Sequence, residues 1–196
     1  MKGQTQAISL VLISGILIGV VSSVYFWGLP LIQKNQDISI LQNSEQFMKA
    51  LNEKVKNVAN NGGRDKLTIT VSGIFRFDPA DSGLFSYSVE TDGTIYATNA
   101  EIPLSRNPCS AQSGEWGKKD PEVLCVKSIG DARYTTTYTL RYIRLDSGSR
   151  SFRIKLDGPR SAAGETHDVI IENVGADETS EDGRNVVNTV VQVRIV

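Results

Sequence analysis

From Ala7 to about Ile32 every position but Pro30 is apolar or small, and no acid or base interrupts the chain between Gln4 and Gln33. An unbroken run of this kind predicts a helix that is apolar on all sides. At ~1.5 Å per residue, the part from Ala7 to Trp27 spans roughly 30 Å, the thickness of a hydrocarbon core. A secretory signal has a shorter apolar region, ~7–15 residues, followed by a small-residue cleavage site. Here the run ends instead in Tyr25-Phe26-Trp27, side chains suited to a membrane–water interface. The pattern then changes. Ile40, Leu41, Phe47, Met48, Leu51, Val55 and Val58 recur at spacings of three and four, which predicts one apolar stripe on an otherwise polar helix. Asn60-Asn61-Gly62-Gly63 supplies residues that tolerate the left-handed conformation and so ends it. Pro30 removes a backbone donor between the two halves and predicts a kink. The expectation is a single bent helix over 4–62 with a membrane span at about 7–27.

Beyond Asp65 the period falls to two. In Leu67-Thr68-Ile69-Thr70-Val71-Ser72 apolar residues alternate with hydroxyls, as in a half-buried strand. Gly73 is expected to bulge this strand before Ile74–Phe77. Asp92-Gly93 predicts a hairpin between strands at 84–90 and 94–98. Residues 133–145 read as one long strand and 151–156 as another. Two more are expected at 168–174 and 185–196, with the acidic stretch 177–183 as a solvated turn between them. Seven or eight strands with turn signals between them predict an α+β chain: the long helix, then an all-β, immunoglobulin-like sandwich head over 65–196. The amphipathic half of the helix is expected over one apolar flank or edge of that head.

Composition narrows the chemistry. Setting aside Lys2 and Lys34, the rest of the chain holds 21 − 2 = 19 basic and 22 acidic residues, a mildly acidic surface with no basic patch of the kind nucleic acid requires. One histidine and two cysteines do not furnish a structural zinc site. His167 beside Asp168 has no serine in a nucleophile-elbow motif to act on, so no enzymatic activity, catalytic residue, metal or cofactor is expected. The acids at 177–183 do not follow a calcium-loop pattern. Cys109 and Cys125 bracket an irregular stretch of roughly Asn99 to Pro121. Cys109 sits in a polar loop, where a free thiol would be a liability, and Cys125 in an apolar strand context, so the two are expected to be bonded. The bond would close a loop of about sixteen residues, worth roughly 3 kcal/mol in the chain-entropy model, and would place the head in an oxidising compartment outside the cell. No Asn-x-Ser/Thr sequon occurs, so N-glycosylation is not expected. Within the apolar run, Gly15, Gly19 and Ser23 recur every fourth residue and share one face, where helix backbones can approach closely.

Met1-Lys2-Gly3-Gln4 directly ahead of an apolar helix resembles the class III prepilin leader of archaea. The resemblance implies that residues 1–3 are a leader, cut between Gly3 and Gln4 by a dedicated peptidase. A bent helix followed by a β-rich head is likewise similar to archaeal type IV pilins, archaellins and their minor relatives. Many pilins carry Glu at the fifth mature position. Ile8 stands there in this chain, which fits a minor or accessory subunit better than a major one. The implied role is a subunit of a surface filament, inserted in the membrane before assembly, with copies of itself or other pilin-like chains as partners. The alternative is a membrane-anchored extracellular binding module, or a stator-like accessory, whose head holds an envelope-layer protein. The leader reading predicts that protein from its native host has an intact mass starting at Gln4; a chain retaining Met1, or one starting after Trp27, would refute it.

Overall fold

The structure is a computed structural model that describes residues 2–69, 71–78, 83–158, 161–164 and 167–196. One helix, α1 (Lys2–Asn61), runs for 60 residues and passes through Pro30 without a break. Gly62 and Gly63 follow with φ of 74° and 88°, and the Gly62 N–H closes the last turn on the Val58 carbonyl. Among the described residues, twelve strands come after it. In chain order they are β1 (Arg64–Ile69), β2 (Gly73–Asp78), β3 (Leu84–Thr91), β4 (Glu101–Pro103), β5 (Ser113–Glu115) and β6 (Glu122–Gly130). The second six are β7 (Tyr134–Tyr142), β8 (Arg144–Ser147), β9 (Arg150–Asp157), β10 (Ser161–Gly164), β11 (His167–Glu181) and β12 (Arg184–Ile195). They form two six-stranded sheets, ordered β1-β11-β12-β9-β8-β5 and β10-β2-β3-β7-β6-β4. Every neighbouring pair is antiparallel except β9–β12 and β5–β8.

The amphipathic half of α1 is not laid over one flank. It touches β1, β11 and β12 of the first sheet and β3, β6 and β7 of the second, so it lies where both sheets can bury their apolar faces on it. Leu41, Met48, Leu51, Val55 and Val58 are each at most 3% exposed. They share one core with Phe75, Tyr87, Leu124, Tyr138 and Leu140 from one sheet and Ile171, Val191 and Val193 from the other. Phe47 sits edge-on to Phe75 and Tyr87, with ring centroids 6.0 and 5.8 Å away. Phe75 and Tyr87 stack at 4.4 Å.

Several sequence expectations change here. Gly73 does not bulge a continuous strand: β1 and β2 belong to different sheets. A Cβ on Gly73 would stand 2.2 Å from the Tyr87 ring, so the glycine is required by a ring packed on the backbone. The segment after Asp92-Gly93 is no partner strand for β3, which pairs with β2 and β7; it turns aside to meet the helix. The stretch 133–145 is two strands in two sheets, switching at the buried Ile143, whose N–H is taken by the Pro121 carbonyl. The acids at 177–181 are in strand, not in a turn. β11 runs to Glu181, and the hairpin closes on Asp182-Gly183, both at positive φ. Asp177, Glu181 and Asp182 pair with Lys155, Arg153 and Arg144 across the sheet.

The irregular stretch joins the two sheets. Its β4 extends one sheet beside β6 and its β5 extends the other beside β8. Cys109 and Cys125 are bonded, with Cα atoms 6.0 Å apart. Around them Ala111, Val123, Ile143 and Leu145 form a second, small core. Asn107, 3% exposed, donates to the Asp120 and Glu122 carbonyls, and Arg141 donates to those of Cys109 and Ala111.

Because Leu51 is fully buried in the core that both sheets share, Leu51→Ala is expected to destabilise the head by about 2–5 kcal/mol. Denaturant unfolding of the detergent-solubilised protein measures this. A loss below about 1 kcal/mol would show that the helix adds little to the core.

Candidate functional site

Two halves of one helix meet opposite surroundings. Below the head, residues 9–36 are exposed throughout apart from half-buried Gly28, an arm of roughly 40 Å. It carries sixteen large apolar side chains between Leu10 and Ile32 that are at least 40% exposed; Phe26 and Trp27 reach 78% and 85%. Covering each is worth ~1.5–3 kcal/mol. The sum is on the order of tens of kcal/mol, beyond the ~5–15 kcal/mol by which whole domains are stable. An apolar surface of this extent marks a membrane or protein contact. By length and composition the helix can cross a bilayer.

On the arm, Gly15, Gly19 and Ser23 fall on one face at i, i+4 and i+8. A Cβ on Gly15 or Gly19 would meet nothing within 4 Å, so the notch they leave is open to a neighbour. Ser23 donates its hydroxyl to the Gly19 carbonyl at 2.8 Å, so the face presents small size and little free polarity. Pro30 leaves the Phe26 carbonyl without its helical donor. Gly3 and Gln4 lie in the first turn of α1.

Where the arm enters the head, it is gripped by groups that the sequence did not single out. The Asp37 carboxylate accepts the Gly93 N–H at 2.8 Å. Tyr96 donates to Glu45 at 2.7 Å, Tyr138 to the Leu41 carbonyl at 2.8 Å, and Tyr142 to the Asn52 side chain at 2.8 Å. Asn173 donates to the Val58 carbonyl at 3.1 Å, and its own N–H reaches the Gly63 carbonyl. Two ion pairs, Lys54–Asp65 and Lys56–Glu122, close the far end at 2.7 and 3.1 Å. None of these residues forms a sequence motif. Their only trace in the chain is a run of strand tyrosines and a helix carrying polar residues beside its apolar stripe.

This clasp sets its own electrostatics. Burial pushes the Tyr87 phenol up to about 12. Burial also raises Tyr96, Tyr138 and Tyr142, the nearby Glu45 charge adding to it for the first two and Glu122 for the third. Burial alone would raise Glu45, but hydrogen bonds from Lys49 and Tyr96 and the Lys49 charge hold it below its usual range.

Other candidates resolve structurally. The Asp168 carboxylate accepts from the Thr68 hydroxyl at 2.7 Å and pairs with Lys66 at 2.6 Å. The side chain of His167 lies outside the described residues. Among the described residues no group of three or more His, Cys, Asp or Glu could hold a metal. Comparison with family models, curated proteins and solved structures finds no match to this chain.

The raised phenols make an alkaline prediction. A phenol whose folded pKa is above its unfolded ~10 adds stability that is complete below pH ~10 and is lost as pH rises through the folded value. The head is therefore expected to weaken above pH 10, with Tyr87, Tyr96, Tyr138 and Tyr142 ionising only as it unfolds near or above pH 12. Tyrosinate absorbance followed beside circular dichroism checks this; four phenols titrating near pH 10 in a still-folded head would contradict it.

Proposed function

We propose that this chain is a subunit of a surface filament of the archaeal type IV pilus or archaellum kind, held in the membrane by its apolar arm and assembled through it. The observation that carries this reading is the continuity of α1. The same helix that bares its apolar half is the central core element of the head. A bilayer anchor needs only length and hydropathy. A helix locked by its other half into both sheets transmits position, so packing of the arms fixes where each head stands. The bonded cysteines support an extracellular head. The leader resemblance at Gly3-Gln4 supports cutting before assembly, and Ile8 supports a minor or accessory place. In this reading the head is an immunoglobulin-like sandwich in the broad sense, two facing sheets with a helix taken into their shared core.

Gly19→Leu is expected to abolish filaments or higher oligomers, because a large side chain would hold neighbouring arms apart. The thermal midpoint of the head should be unchanged, since Gly19 touches nothing in it. Sedimentation and electron microscopy of surface material, beside thermal unfolding, read both. A variant that assembles like the parent would favour the anchored binding module instead.

A further inference from the structure

Past the end of the amphipathic stripe, roughly 45 Å along the helix from Trp27, the head holds a second exposed tryptophan. Trp116 is 53% exposed, yet it is not on a loose loop. It follows β5, its N–H is bonded to the Asp146 carbonyl at 3.0 Å, and the next turn is closed by Lys118 and Lys119 N–H groups on the Glu115 carbonyl. Its indole rests against Phe152 with centroids 4.7 Å apart and planes inclined by 50°. The two rings wall a cleft of about 370 Å³ that backs onto Pro121, Leu145 and Ile154.

The rim sets the chemistry of an occupant. Asn60 and Thr189 stand on it, and neither side chain is engaged in a hydrogen bond among the described residues. The two charged groups of the lining are already paired, Lys56 with Glu53 at 2.8 Å and Glu122 at 3.1 Å, and Arg153 with Glu181 at 2.6 Å. The cleft therefore combines an aromatic wall, an amide and a hydroxyl, and both cations on its lining are already paired. Its volume is that of a small-ligand site. A protein partner would need ~800 Å² on each side, and charged groups such as Lys118 and Glu115, paired with each other at 2.8 Å, border the indole closely.

From this we infer that the Trp116–Phe152 cleft binds a neutral hexopyranose unit of a surface glycan, the apolar C–H face of the sugar lying on the indole and its hydroxyls reaching Asn60 and Thr189. The chain has no sequon of its own, so an N-linked sugar in the cleft comes from another molecule. This inference does not depend on filament assembly. A single ring on such a platform is expected to bind with a Kd on the order of 1–10 mM.

The test uses the full chain in a detergent without sugar head groups, with Trp27→Phe leaving Trp116 as the only indole. Maltose, mannose, galactose and N-acetylglucosamine are each titrated to about 100 mM, well past that Kd. At least one is expected to change Trp116 emission saturably. Thr189→Val and Asn60→Ala should each weaken that sugar several-fold. Trp116→Ala, followed by saturation-transfer NMR, should weaken it at least about tenfold with an unchanged thermal midpoint. No saturable response to any of the four would overturn the inference. So would emission that responds only to protein concentration, which would assign the cleft to a second copy of this chain.

Discussion

The burial of one helical stripe against two sheets at once is the interaction on which the rest of this molecule depends. Each sheet presents an apolar face, and neither face is closed by the other alone. Leu41, Met48, Leu51, Val55 and Val58 lie in the core that both share. Burial of these side chains at ~1.5–3 kcal/mol each is comparable to the whole net stability of a domain of this size. The helix is thus structural for the head before it is anything else, and the head in turn holds the helix at a fixed attitude.

That arrangement explains the polar contacts. A helix set between sheets brings its backbone and its flanking polar side chains into a dry environment, where unpaired groups are costly. Tyrosines answer this well, because a ring fills the core while the hydroxyl reaches a partner. Tyr138 and Tyr142 do so on Leu41 and Asn52, and Tyr96 does so on Glu45. Each such bond also fixes the rotation of the helix about its axis. The face that carries Gly15, Gly19 and Ser23 is therefore presented in one direction relative to the head.

At the other side the disulfide-bounded excursion does for the strands what the helix does for their faces. It adds a short strand to each sheet, packs on Val123 and Cys125, and sets Trp116 against Phe152. The bond between Cys109 and Cys125 closes this path. An outward-facing tryptophan and an exposed apolar arm thus stand at opposite ends of the same helix.

The division between what sequence and tertiary structure each decide follows the range of the forces involved. Local periodicity sufficed for the helix, its end at Asn61-Gly62-Gly63, the apolar run with its small-residue face, and most strands, because each is dictated by side chains a few positions apart. Pairing of the two cysteines was also legible, from a polar loop flanked by an apolar strand. Which sheet each strand joins was not. The switch at Ile143, the desertion of the Asp92-Gly93 hairpin, and the extension of β11 through its acids all hinge on partners far away in the chain. Those partners are Pro121 for Ile143, the helix residues Asp37 and Glu45 for the segment after Asp92, and the basic residues of β8 and β9 for the acids. The helix stripe looked like a surface stripe because periodicity reports how wide an apolar face is, not how many surfaces cover it. Only the packed structure put two sheets on that face, and only there did Trp116, Phe152, Asn60 and Thr189 come to line one cleft.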